Sequence, residues 1–330
     1  MAMAKRYSSK NAKMEPAEMV LSFSLPNGQA TSYFDLAQCV SIVNRRFYRQ
    51  GINFAVADFK IISTGPVGAT PAVTGSMSIS RIPHTWVAAN AWKKAFEHWN
   101  KQQKEALAES GATNARAKFS DFKIHMDVDH VTAGFASNKL PISGTGVPAT
   151  PGEWEASEVV VPNTLADASG STVLPVEYTL HMVGVNNNAG VSRGIIEGYA
   201  DSRAYPQSPD PVTPDLDSSN NWLAQMFNVG DDQPEVLDNA TDRNDELPYP
   251  QIDYPGGQNQ LPTLQYHDSA FITSTTVGGI THMRGGQFYC GLIRLDSNLT
   301  YDPELQSAIL QIVLVPGSHR GYLCEPMGDV

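Results

Sequence analysis

The chain has 330 residues, 41% apolar and 17% charged, which excludes a disordered polymer and gives it the mass to bury a real core. Its 26 Gly and 22 Pro are scattered without a period, which excludes a collagen-like repeat and leaves them as punctuation between many short elements. The formal charge of −11 divides into +6 over residues 1–130 (16 Lys/Arg against 10 Asp/Glu) and −17 over 131–330 (7 against 24), an asymmetry that predicts one face for an anionic partner and another for solvent.

Residues 1–14 carry Lys5, Arg6, Lys10 and Lys13 and no acid, and read as a short basic arm suited to a phosphate backbone. With no apolar leader segment and no run of the roughly 18–20 apolar residues a membrane helix needs, the chain is expected to be made in a cytoplasm and not to span a membrane. Residues 17–25 alternate as a strand and end at the turn Pro26-Asn27-Gly28. Over 35–49, Asp35 can cap a helix whose apolar positions Leu36, Cys39, Val40 and Val43 repeat at three to four. Arg45, Arg46 and Arg49 fall at its end, where cations complement the helix dipole, and Gly51 is expected to stop it. Phe47 and Tyr48 interleave with these arginines, either to stack on bases or to pack into a sheet. Strands are predicted at 53–63 and 76–82. After Pro83 comes a helix from Thr85 to Glu109, with Trp92, Phe96 and Trp99 as one aromatic stripe that packs on a sheet of its own subunit.

Further strands are read at 118–128, 153–161, 176–185, 263–274, 287–295 and 308–315, nine in all with the earlier three. This pattern predicts a mainly β fold: a jelly-roll (Greek-key) sandwich with one long amphipathic helix and long loops. A double jelly roll is the alternative and needs more strands. The chain divides into the arm, 1–14, and one domain, 15–330, interrupted at about 197–262 by an acidic, Pro-rich insertion. Between Glu197 and Asp253 there are 13 acids against only Arg203 and Arg243, with one short helix possible at Trp222–Val229.

Catalytic signatures are absent: no phosphate loop, no dinucleotide fingerprint, no nucleophile elbow and no paired-histidine zinc motif. The Gly pairs at 256–257, 278–279 and 285–286 read as hairpin turns, and Cys39, Cys290 and Cys324 as isolated thiols. On a strand, His125, Asp127 and Asp129 would share one face and His130 the other, a set that could hold a divalent metal or serve a hydrolase; a polar strand edge is the simpler reading. The acids Asp231, Asp232, Glu235, Asp238, Asp242, Asp245 and Glu246 could take Ca²⁺ between subunits but lack EF-hand spacing, and read as a solvated loop. No catalytic residue, metal site or cofactor is therefore assigned. Nonspecific nucleic-acid contact is assigned to Lys5, Arg6, Lys10, Lys13, Arg45, Arg46 and Arg49.

Three pieces carry a family resemblance: Tyr33–Gly51 (YFDLAQCVSIVNRRFYRQG), Ile82–Trp92 leading into Trp99, and Leu314–Gly321 (LVPGSHRG) with Pro326-Met327. Together, about a fifth of the chain resembles the capsid proteins of environmental circular single-stranded DNA viruses. The resemblance implies a jelly-roll subunit that self-assembles into an icosahedral shell around a small DNA genome, located in the virion and acting as no enzyme. The arm departs from the long Arg-rich arm of many such capsids. That departure keeps open a double-roll capsid of a membrane-containing phage, with an internal membrane or minor capsid proteins as further partners. From a different class, a glycan- or receptor-binding spike module would use Trp154 and Trp222 as sugar platforms.

Overall fold

The computed structural model describes residues 16–64, 73–144, 146–161, 175–185, 192–202, 243, 264–273 and 279–330. The basic arm, most of the acidic insertion with Trp222–Val229 and its candidate Ca²⁺ ligands, and the Gly256-Gly257 pair lie outside them.

Alternating apolar residues build the first two strands, β1 (Val20–Leu25) and β2 (Gly28–Asp35), joined at Pro26-Asn27. Asp35 then accepts the amide of Gln38 and caps α1 (Leu36–Asn44). That helix is shorter than its periodicity predicted. Arg45 takes the left-handed conformation and ends it, so Gly51 is not its stop and Arg46 and Arg49 lie in the following turn rather than on the helix end. The chain continues through β3 (Ile52–Thr64), β4 (Thr74–Arg81) and α2 (Trp86–Glu109), the last capped by the Thr85 hydroxyl. After α2 come α3 (Val128–Ala133), β5 (Glu158–Val161), β6 (Val176–His181), β7 (Ser192–Gly194) and α4 (Ile195–Ser202). The chain then returns to long strands, β8 (Gln265–Ile272), β9 (Ile280–Phe288), β10 (Leu292–Thr300) and β11 (Ser307–Leu314), and ends in short ones, β12 (Pro316–Gly317), β13 (Gly321–Tyr322) and β14 (Cys324–Pro326).

The eight long strands form two facing antiparallel sheets. One runs β1-β11-β3 with β9 on the far side of β3, and β14 pairs with the start of β3; the other runs β2-β10-β4-β8. Between them the inward residues of both sheets make the main core, with Phe23, Phe34, Phe54, Phe59, Phe288, Leu295 and Leu310 sealed from water. Burying a side chain of this size stabilises the fold by about 1.5–3 kcal/mol.

The described residues between β4 and β8, together with Tyr33, Tyr289 and Leu292, build a second core beside the sandwich. The Trp92, Phe96 and Trp99 stripe of α2 packs around Phe122, with ring centroids 5.4–5.9 Å from it. Ile124, Met126, Leu180, Met182, Ile195 and Tyr199 complete the cluster. The stripe therefore meets an extended segment, the small β5-β6-β7 sheet and α4, not a face of the large sheets.

This segment also seals one open flank of the sandwich. Lys139 donates its backbone N–H to Tyr33 O of β2 (2.8 Å), and Ile142 to Ser22 O of β1 (2.7 Å). At the opposite flank, Asp268 of β8 accepts the Arg284 amide of β9 (2.7 Å) and the His267 ring bonds the Arg284 carbonyl (2.9 Å). Both flanks thus have edge backbone groups occupied, which blunts the tendency of open edges to pair with other chains.

Four sequence expectations are corrected. Residues 118–128 are not a strand: the segment is extended with one isolated bridge, His125 to His181, and turns into α3 at Asp127. Only Glu158–Val161 of 153–161 is strand. The run 287–295 is two strands, because Cys290 adopts a left-handed conformation (φ 57°) inside a tight turn at Tyr289–Gly291. Gly285-Gly286 is no hairpin turn but lies inside β9.

Candidate nucleic-acid interface

The turn after α1 is held from several directions. The Tyr48 amide donates to Ser41 Oγ (2.9 Å), and the buried Tyr48 ring gives its hydroxyl to Arg320 O (3.0 Å). Arg320 Nη1 returns a bond to Phe47 O (2.6 Å). Tyr48 is therefore a core residue; of the two aromatics in this basic run, Phe47 is the one left at the surface. Gln50 is buried and pairs like a strand residue: its side chain donates to Ile124 O (3.1 Å), accepts from Ile124 N (2.6 Å) and donates to Asp35 Oδ2 (2.9 Å). That pairing brings the distant segment 116–124 against the turn.

Three rings meet there. Phe47 lies edge-on to Phe119 at 5.3 Å and tilted to Trp154 at 6.3 Å. A cation lies over each: Arg49 over Phe47 (5.5 Å), Lys118 over Phe119 (5.7 Å) and Lys123 over Trp154 (4.7 Å). Trp154 donates its indole N–H to Asp35 (2.9 Å), a fully buried carboxyl whose pKa burial pushes up to about 6. Arg49 bonds Ser120 O (2.7 Å) and Asp121 (3.3 Å), yet its side chain stays 54% exposed. Arg46 donates to Pro16 O (3.2 Å), and Arg45 is exposed.

The structure thus places Arg45, Arg46 and Arg49 on one basic, aromatic surface, while Lys5, Arg6, Lys10 and Lys13 lie outside the described residues. Sequence reasoning missed Lys118, Phe119, Lys123 and the link from Trp154 to Phe47. About 70–110 residues separate them from the arginines, and no local pattern announces the contact.

The His/Asp stretch makes a different object. Asp127 caps α3 through His130 N (2.8 Å), accepts the Tyr33 hydroxyl (2.8 Å) and takes Arg294 Nη1 on its other oxygen (2.8 Å). Arg294 also reaches Asp129 (3.0 Å) and Asp296 (3.1 Å). His130 accepts the Met126 amide at Nδ1 (3.0 Å) and bonds Asn138 through Nε2 (2.8 Å), so both ring nitrogens are spoken for. His125 stacks on Phe135 at 4.3 Å, and burial lowers its pKa to about 3; burial likewise lowers His130 and His181 to about 4. The sequence placed His125, Asp127 and Asp129 on one strand face; the structure ties Asp127 and Asp129 to Arg294 instead. Among the described residues no group of three or more His, Cys, Asp or Glu is arranged to hold a metal. This network is a clamp between the second core and β10.

No family model, curated protein or solved structure matches the chain. No helix among the described residues is long and apolar enough to cross a membrane.

Proposed function

We propose that the two facing sheets are a jelly roll and that the chain is a viral major capsid protein. It assembles with copies of itself into an icosahedral shell around a small, circular single-stranded DNA genome, and its place is the virion. The observation that carries this reading is the path of the chain. β1, β3, β9 and β11 lie in one sheet and β2, β4, β8 and β10 in the other, so successive strands cross the core, except where β4 leads into the long excursion and returns to the same sheet as β8. That order, with sheets β1-β11-β3-β9 and β2-β10-β4-β8, supports the jelly-roll reading. Among the described residues eight long strands and the short β14 account for both sheets, which favours one roll over two. The three stretches resembling circular single-stranded DNA virus capsids fall on β2 through the turn after α1, the start of α2, and the C-terminal hairpin that grips this turn through Arg320. The basic aromatic surface is the part suited to the packaged strand.

Expression of the chain alone followed by electron microscopy tests the proposal. Closed, uniform shells are expected. A soluble monomer or trimer that binds glycans would overturn it in favour of a spike module.

A further inference from the structure

The basic surface has an order that scattered charges lack. Phe119 is 59% exposed, large for a phenyl ring, and it rests edge-on against Phe47 rather than alone. Phe47 and Trp154 beneath it are fixed, the first through its carbonyl to Arg320 and the second through its indole to buried Asp35. The rings are therefore in place before anything binds, and little ordering entropy is left to lose. Each ring carries its own cation, Lys118 over Phe119, Arg49 over Phe47 and Lys123 over Trp154, within 6 Å. The acids nearby are Asp121, whose carboxylate accepts the Gln50 amide and faces Arg49 and Lys123, and the exposed Glu153 and Glu155 that bracket Trp154. Their charge disfavours a phosphate on the Trp154 side and leaves the Phe119 side as the approach.

We propose that this surface is a seat for single-stranded nucleic acid, in which one unpaired base stacks on Phe119 and the flanking phosphates meet Lys118 and Arg49. It rests on the capsid reading above and names what that reading leaves open, namely the form of strand recognised and the residues that recognise it. A duplex hides its base faces, so a ring-based seat discriminates against it; every base has a π face, so the seat tolerates any sequence.

The test uses the full chain and three probes of equal length: an oligothymidylate, an abasic oligomer and a duplex, each titrated at several salt concentrations. The oligothymidylate is expected to bind about tenfold tighter than the abasic strand. Phe119→Ala should erase that ratio, while Phe119→Trp retains it. The pair Arg49→Gln and Lys118→Gln should weaken all probes and lower the single-strand salt slope by about 1.4. Equal affinity of the wild-type chain for thymidylate and abasic strands, or duplex binding as tight as single-strand binding, overturns the seat whatever the variants do. Imaging the same preparations separates the two readings. Shells without base discrimination sink the seat alone, and base discrimination without shells sinks the capsid and leaves the seat.

Discussion

At the scale of single residues, two glycines show how tightly the parts are fitted. A Cβ on Gly51 would fall inside the Trp92 indole, which is itself stacked on Phe96 (5.1 Å) and edge-on to Phe122 (5.9 Å) and has nowhere to swing. Gly51 is thus the floor under α2 rather than a helix stop. Gly285 faces the carbonyls of Val56 and Ala57 where β3 shifts register against β11, and those oxygens belong to backbone that cannot yield. Overpacking of this kind costs about 1–3 kcal/mol. Gly51→Ala and Gly285→Ala should each lower the unfolding free energy by that order and move the denaturant midpoint down, whereas Gly28→Ala, with open space around it, answers only to its positive φ of 88°. Equal midpoints for Gly285→Ala and the wild-type chain would mean that the close approach in β9 is not strained by a side chain.

At the scale of elements, the long excursion is held to the sandwich by apolar packing on Tyr33, Tyr289 and Leu292 and by a few polar groups. Arg294 on β10 is its main polar tie, and its side chain is only 22% exposed. Removing it leaves Asp127 buried without its cation, which for a wholly buried pair costs about 3–5 kcal/mol and here, with some water access, about 2–3. Arg294→Gln should therefore unfold earlier in urea, and Arg294→Lys should not restore the loss, since one ammonium cannot reach Asp127, Asp129 and Asp296 in the fork geometry. The histidines behind this tie are acid-sensitive. Burial puts the folded pKa of His125, His130 and His181 at about 3–4, below the ordinary 6.5, so the fold favours their neutral forms. That contribution is whole above pH 6.5 and drains as pH falls toward 4, while Asp35, raised to about 6, and Asp121, also raised by burial, work the other way but are two groups against three. Stability measured at pH 7.5 and 4.5 should drop in acid, and His125→Phe should flatten the drop; a chain equally stable at both values would contradict the assignment. The same elements show what sequence can reveal. Alternation at Phe122, Ile124 and Met126 correctly marked a buried face but not pairing, since period-two burial needs an extended chain and not a neighbour strand. The helix α2 was legible because Thr85 and the 92-96-99 stripe are local. β2 was not, because its first half, Gly28-Gln-Ala-Thr-Ser, lacks apolar alternation and is defined by its partner β10. The arginines of the candidate interface were visible as a run; their partners were not, since Gln50 joins them to residues 121–124 through side-chain pairing that no periodicity encodes.

At the scale of the whole molecule, the charge has to be reconciled with the proposed shell around nucleic acid. A subunit of −11 repels both its neighbours and a phosphate chain, and exposed charges act over only about 8 Å at physiological salt. Attraction must then be local, at places where cations are concentrated: the arm with Lys5, Arg6, Lys10 and Lys13, and the surface with Arg45, Arg49, Lys118 and Lys123. Each phosphate contact to a single strand contributes about 0.7 to the slope of log affinity against log salt, so neutralising the four arm cations should lower it by at most about 3. The surface is built into the fold, its turn held by the Gln50 and Arg320 hydrogen bonds. Changing the arm residues to Gln should therefore leave shells that still carry nucleic acid, at a reduced ratio of 260 to 280 nm absorbance. Changing arm and surface together should leave shells that form but are empty, because the sheets, their flanks and the Arg294 tie are untouched. Shells of the combined variant that remain full would place the hold on the genome elsewhere, in other cations of the chain or in a partner, and would separate assembly from packaging in this chain.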